Sequence, residues 1–279
     1  MPEAGRWPRW TIARRALQVG VLLAFAGAPW GDAQRWVQGT LASSLWFGQW
    51  GLSDPLVMLQ ALAAGAATEA AGWWGAAMVV LPVMLLGGRL FCGWVCPINL
   101  VADAVDALRR AIGWRGGFWP RPHRHLRLLL LAAVLVASAA SGQVVWEWVN
   151  PITAVSRALA FGLWAGAALA LGLVLGVDLL LVRRGWCGTL CPVGALHALL
   201  GRWGRLRVAA PRAAACTRCG DCFEVCPEPQ VIVPVLAADR RTLHIADGDC
   251  LRCGRCLEVC DEGVFEMHLW RSGPAALAR

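Results

Sequence analysis

Long apolar runs, separated by short polar segments rich in arginine, occupy residues 1 to about 200 and then stop. Three of them, at about 71–91, 127–146 and 159–182, approach the ~20 apolar residues that a helix needs to cross a bilayer. A fourth, at about 12–31, keeps an uninterrupted apolar core only from Ala16 to Trp30. Basic residues, an apolar run and small residues follow one another there as in a signal peptide. Pro29, however, directly follows Ala26, Gly27 and Ala28, where it would hinder cleavage, so an uncleaved first helix is expected. The pattern predicts an α-helical integral membrane protein with four transmembrane helices over residues 1–208. A small, charged, cysteine-dense domain follows at 209–270, and a short tail at 271–279.

Composition agrees, since 58% hydrophobic and 16% charged residues is too apolar for an ordinary soluble domain. No lysine occurs, so the net charge of +8 rests on arginine, and much of it lies beside the apolar runs. That fits membrane orientation better than nucleic-acid binding, and no nucleic-acid partner is expected. Arg6, Arg9, Arg14 and Arg15 precede the first run. Arg109, Arg110, Arg115, Arg121, Arg124 and Arg127 lie between the second and third, and Arg183 and Arg184 follow the fourth. The opposite loops carry only Arg35 and Arg157. Arginine is retained on the cytoplasmic side, so both termini are expected in the cytoplasm of a bacterial cell with the protein in its inner membrane. Aromatic residues around 30–50 and 146–148 suit the outer interface. Asp178, the one acid inside a run, is a functional candidate or a partner for Arg183 or Arg184.

The membrane part is a repeat. "SDPLVMLQ" precedes the second run and "VNPITAVS" the fourth, and the runs end in "FCGWVCPINL" and "GWCGTLCPVG". The distance from Pro55 to Cys92 is nearly that from Pro151 to Cys187. A residue before proline is pushed out of the helical region, whereas proline suits a first helical turn. Cys96 and Cys191 are therefore expected in a bend, with Pro97 and Pro192 opening amphipathic helices along the inner surface, arginines toward lipid phosphates. The four elbow thiols, Cys92, Cys96, Cys187 and Cys191, are candidates for a shared metal or redox site. As small buried hydrophobes they would merely pack at the bend.

The tail holds the most specific signal. Cys216, Cys219, Cys222 and Cys226 follow C-x2-C-x2-C-x3-C-P, and Cys250, Cys253, Cys256 and Cys260 repeat that spacing with Asp261 in place of the proline. Such a run gives three ligands to one cubane and the fourth to its partner. Two [4Fe–4S] clusters are expected, one on Cys216, Cys219, Cys222 and Cys260, the other on Cys250, Cys253, Cys256 and Cys226. The module is thus expected to be an α+β ferredoxin-like fold, with "VIVPVL" and "TLHIA" as short paired strands. Structural zinc and disulfides fit less well, because zinc sites use separated pairs and the cytoplasm is reducing. His123, His125, His197, His244 and His268 all lie outside the expected spans, which excludes a transmembrane bis-histidine haem, and no phosphate-binding glycine motif occurs. Spans almost free of charge argue against ion translocation.

With "FCGWVCPINLVADAVDALRR", "RRGWCGTLCPVGAL", "CFEVCPEPQV" and "CGRCLEVCDEGVF", the chain resembles the NapH family over nearly its whole length. Members are the membrane-bound, ferredoxin-type quinol dehydrogenase components of periplasmic nitrate reductase systems. The C-x3-C-P pair is shared with the wider NosR, CcoG and MauN group, among which "CPEPQV" and the compact size favour NapH. The resemblance implies oxidation of a membrane quinol and transfer of electrons, with a NapG-type iron–sulfur protein, toward the reductase NapAB, with a NapC-type or other c-type cytochrome as a further candidate carrier. Another class of function is open to the same residues: an assembly or maturation factor whose clusters reduce a metal or thiol on a client enzyme.

Overall fold

The structure, a computed structural model, describes residues 8–27, 36–114, 125–237 and 242–269. The expectations that concern Arg6, Pro29, Trp30, Arg35, Arg115, Arg121, His123 and Arg124 lie outside those residues. The chain is mostly helical and divides into two compact units, one formed by residues 1–16, 82–94 and 197–279, the other by 17–81 and 95–196.

Helices form where the apolar runs stand: α1 (Arg9–Gly27), α3 (Ala70–Leu86), α6 (His125–Ser141) and α8 (Trp164–Gly176), the last continued by a π turn at Val177–Leu181. Among the described residues, Trp164–Leu181 is the one helical stretch long and apolar enough to cross a membrane, with mean hydropathy 2.0 over 18 residues. The runs expected at 71–91 and 127–146 give shorter apolar helices, because Gly87, Gly88 and Gly142 end them at positive φ, where glycine alone is unstrained. In α1, Arg9, Arg14, Arg15 and Gln18 dilute the apolar content.

Both halves of the repeat fold alike locally. The side chain of Asp54 accepts from Leu56 N and opens α2 (Pro55–Ala63); that of Asn150 accepts from Ile152 N and opens α7 (Pro151–Phe161). These two helices stand in matching places, each ahead of an apolar run. At the elbows, α4 (Leu90–Trp94) and a π turn at Trp186–Leu190 precede Cys96 and Cys191, both extended (φ −61, ψ 123; φ −80, ψ 111). Proline then opens α5 (Pro97–Ala111) and α9 (Pro192–Leu200), as the proline rule requires. Ahead of the repeat, the aromatic segment forms an antiparallel sheet, β1 (Val37–Gly39), β2 (Ser43–Trp46) and β3 (Trp50–Ser53), rather than a plain interfacial loop.

Within the second unit, buried polar groups tie the helices together. Gln60 Oε1 on α2 accepts from Ser138 Oγ on α6 (3.2 Å) and from Trp146 N (2.9 Å). Arg109 departs from its expected lipid-facing role: it is buried and donates to the carbonyls of Asp178 and Leu179 (2.7 and 2.9 Å). Those carbonyls lie in the π turn, whose wider winding frees backbone acceptors. Arg183 and Arg184 close on Asp106 and Asp103 of α5, while Asp178 Oδ1 accepts from Trp186 N (2.8 Å).

In the first unit, β4 (Leu206–Ala209) pairs antiparallel with β5 (Glu266–Leu269) around both cysteine runs. "TLHIA", expected as a strand, makes only an isolated bridge beside β4, Ala209 to His244, with Ala210 N bonded to Leu243 O and Ile245 N to Val208 O. "VIVPVL" does not form a strand. It is a helical turn running into α11 (Val233–Leu236), which buries Val231, Ile232 and Val235 in the core with Val208, Val264 and Phe265.

Candidate functional site

The two cysteine runs share one backbone trajectory. In each, an arginine between the first two cysteines takes positive φ (Arg218, 59°; Arg252, 52°), and so does the glycine after the second (Gly220, 91°; Gly254, 76°). Left-handed positions at this density curl the chain so that successive thiols face one volume. Short helices follow, α10 (Asp221–Val225) and α12 (Arg255–Val259), and end at the extended Cys226 and Cys260.

Cys216, Cys219, Cys222 and Cys260 line a single cavity of about 610 Å³, open on one side, with Phe223, Val264 and Phe265 in its wall. Burial pushes the Cys222 thiol up to about 11, and the neighbouring Cys216, Cys219 and Cys260 add to the effect. Burial likewise raises Cys226, with Cys253 and Cys250 beside it, and Cys256, with Cys253, Cys250 and Cys226 beside it. The fourth thiol of each run thus stands among the first three of the other. Among the described residues no three His, Cys, Asp or Glu side chains are arranged to hold a single ion. A thiol crowded by other thiols resists ionisation until a multiply charged metal centre reverses the balance, so the donor chemistry fits iron–sulfur ligation.

The segment carrying Cys92 packs on the second run. Arg89 N bonds to Cys250 O (3.0 Å), Gly88 N to Gly201 O (2.8 Å), and Trp94 Nε1 donates to Arg252 O (3.1 Å). Gly93 is required by this approach, since a Cβ there would lie 2.7 Å from the Leu251 carbonyl oxygen. Arg89, 1% exposed, donates to Glu228 two residues beyond Cys226 (2.8 Å). The pair is held in place because either charge alone would be costly at that depth. The start of α1 joins the same unit: Trp10 N, Thr11 N and Thr11 Oγ1 all donate to the Glu258 carboxylate. His197 stacks on Phe91 with ring centroids 5.1 Å apart.

Cys92 and Cys187 are half-buried, Cys96 and Cys191 buried. Cys92 belongs to the unit of the ferredoxin runs, and the other three to the second unit. In the same unit the carboxylate of Asp106 receives Arg183 and Arg110 (2.6 and 2.8 Å) and faces Arg184, which lies near Cys187. Burial there works upward but is outweighed by these guanidiniums, which hold Asp106 at about 2. Sequence reasoning missed Asp103, Asp106, Arg89, Glu228, Arg252 and Glu258. The signal available was acids at i and i+3 in α5, opposite the arginines that end the fourth apolar run.

Two family descriptions match the chain. A "4Fe-4S binding domain" matches residues 69–115 and 158–211, the two halves of the repeat with their elbows, and a "4Fe-4S dicluster domain" matches 211–261. The ferredoxin-type protein NapH of Escherichia coli is 42% identical over 277 residues, covering 98% of this chain and 95% of that protein. The methylamine utilization ferredoxin-type protein MauN of Methylorubrum extorquens is 44% identical over 260 residues, 93% and 88% respectively. MauN of Methylobacillus flagellatus is 43% identical over 235 residues, 84% and 82%. No solved structure matches.

Proposed function

Because the chain belongs to the NapH family of ferredoxin-type iron–sulfur proteins, with MauN proteins as similar to it as NapH, we propose that it oxidises a membrane quinol and relays the electrons to an iron–sulfur partner. Cys216, Cys219, Cys222 and Cys260 would hold one [4Fe–4S] cluster, and Cys250, Cys253, Cys256 and Cys226 the other. Each cluster, when bound, accepts and returns single electrons with little movement of its ligands. Quinol gives up two electrons and two protons on becoming quinone, which matches a protein with two one-electron sites.

The observation that carries this reading is the packing of residues 88–94, the first elbow with Cys92, directly on the Cys250–Cys253 loop. It offers a short path between a membrane-surface segment and the second set of thiols. The reading includes residence in the membrane in four spans, with the ends of the chain in the cytoplasm as the arginine distribution suggests, and apolar side chains that α3, α6 and α8 turn outward support the membrane part of it. Leu85, Leu129, Val136 and Leu169 are all exposed, which in water would leave a large unpaired apolar surface. On the NapH side the acceptor is a NapG-type protein and, beyond it, the nitrate reductase NapAB. The equal identity to MauN favours a second reading of the acceptor alone, in which the electrons serve methylamine utilization.

The test is anaerobic addition of a reduced quinol analogue to the purified, air-oxidised full chain. Loss of visible iron–sulfur absorbance is expected. Absorbance that dithionite bleaches but quinol does not, with an added electron-accepting partner also left unreduced, would remove the quinol role while leaving the iron–sulfur assignment intact.

A further inference from the structure

The two cysteine runs are alike in backbone but not in the fate of one side chain. Arg218 and Arg252 occupy the same place, between the first two cysteines of their runs, with nearly the same positive φ. Arg218 is exposed, whereas Arg252 has 0% of its surface accessible. A buried guanidinium normally finds a carboxylate, because an unpaired charge at that depth costs several kcal/mol. Arg252 has none among the described residues. Its Nη1 donates to Ile245 O (3.2 Å), while Nε and Nη2, equally buried, have no acceptor. The charged or titratable groups that face it are Arg207, His244 and Cys250. Two of these are basic, so the protein supplies no formal negative charge to a site built around a cation.

A tetrathiolate iron–sulfur cluster would supply that charge, and its sulfurs accept N–H donors. Resting on the dicluster reading, we propose that Arg252 directs its two unpartnered nitrogens, Nε and Nη2, at the cluster held by Cys250, Cys253, Cys256 and Cys226, and thereby raises its reduction potential above that of the other cluster. Hydrogen bonds to sulfur and nearby positive charge both stabilise the form that carries one more electron. The asymmetry gives the pair a direction: the cluster beside residues 88–94 is the more easily reduced and takes the electron first. No proton accompanies it, and Arg252 stays charged throughout.

The experiment is a redox titration of the full chain followed by electron paramagnetic resonance, with iron counted per protein, for wild type, Arg252→Gln, Arg252→Lys and Arg218→Gln. With Arg252→Gln at full iron content, the ratio of reduced to oxidised form of one cluster at fixed potential is expected to fall about tenfold, equivalent to about 59 mV for a one-electron couple. The other cluster should not move, and Arg218→Gln should move neither. Arg252→Lys keeps the charge but loses the planar fork, and a fall of about threefold is expected. Should Arg252→Gln lose iron, the lysine variant carries the test alone. Full iron with both signals unmoved would overturn the proposal and leave the dicluster reading standing. A wild-type chain without iron–sulfur signals would remove that reading instead.

Discussion

His197 is a residue that the fold requires to be neutral. It is buried against Phe91, and burial, reinforced by the charge of Arg89, pushes its imidazole down to about 4 from 6.5. Because the folded value lies below the unfolded one, its contribution to stability is complete above pH 6.5 and is lost as pH falls through that value toward 4. The melting temperature should therefore drop between about pH 7.5 and about pH 5, and His197→Phe, which keeps a ring on Phe91, should lose a good part of that drop. Equal slopes for the two proteins would refute the assignment. The two cysteine runs could be read from sequence because a cubane cluster demands just such a spacing of its ligands. Arg89 and Glu228 could not, being 139 residues apart, and an arginine at the end of an apolar run has membrane orientation as its default explanation.

Gly88 controls how two elements meet. Its φ of +65° already disfavours a side chain, and a Cβ there would collide with the carbonyl oxygen of Cys250 and press on Arg252. Gly88→Ala should cost at least about 1 kcal/mol from the backbone alone. It should also loosen the elbow from the second cysteine run, seen as faster hydrogen exchange at Arg89 N and in 250–253 with little change in α10. The elbow helices were legible because proline acts through local sterics. The sheet at 37–53 was not, since its strands are three or four residues long and its aromatics also fit an interface. "VIVPVL" is rich in β-branched residues, which favour strands. Pro234, however, lacks a ladder donor, and helical winding puts Val231, Ile232 and Val235 together on the core.

At the scale of the whole molecule, the contacts of the first unit do what neither helix lengths nor arginine counts can do alone: they fix arithmetic. Thr11 touches Glu258, Arg89 next to Gly88 touches Cys250 in the same tail, and Gly88 touches Gly201. Points in contact lie on one side of any bilayer, so the chain crosses an even number of times between 11 and 88, and again between 88 and 201. A single crossing is thereby forbidden. If Trp164–Leu181 crosses, it needs a return within its own half, and His125–Ser141 is the other apolar helix there among the described residues. If Ala70–Leu86 crosses, α1 is the other long helix before residue 88 among the described residues. Reporter fusions after residue 11, at 88, at 201 and at the C-terminus should all report one compartment, and a single discordant reporter would break the count. The loop that Glu258 makes with the start of α1 thus sets a rule for any crossing: each one the chain makes outward must be matched by one home.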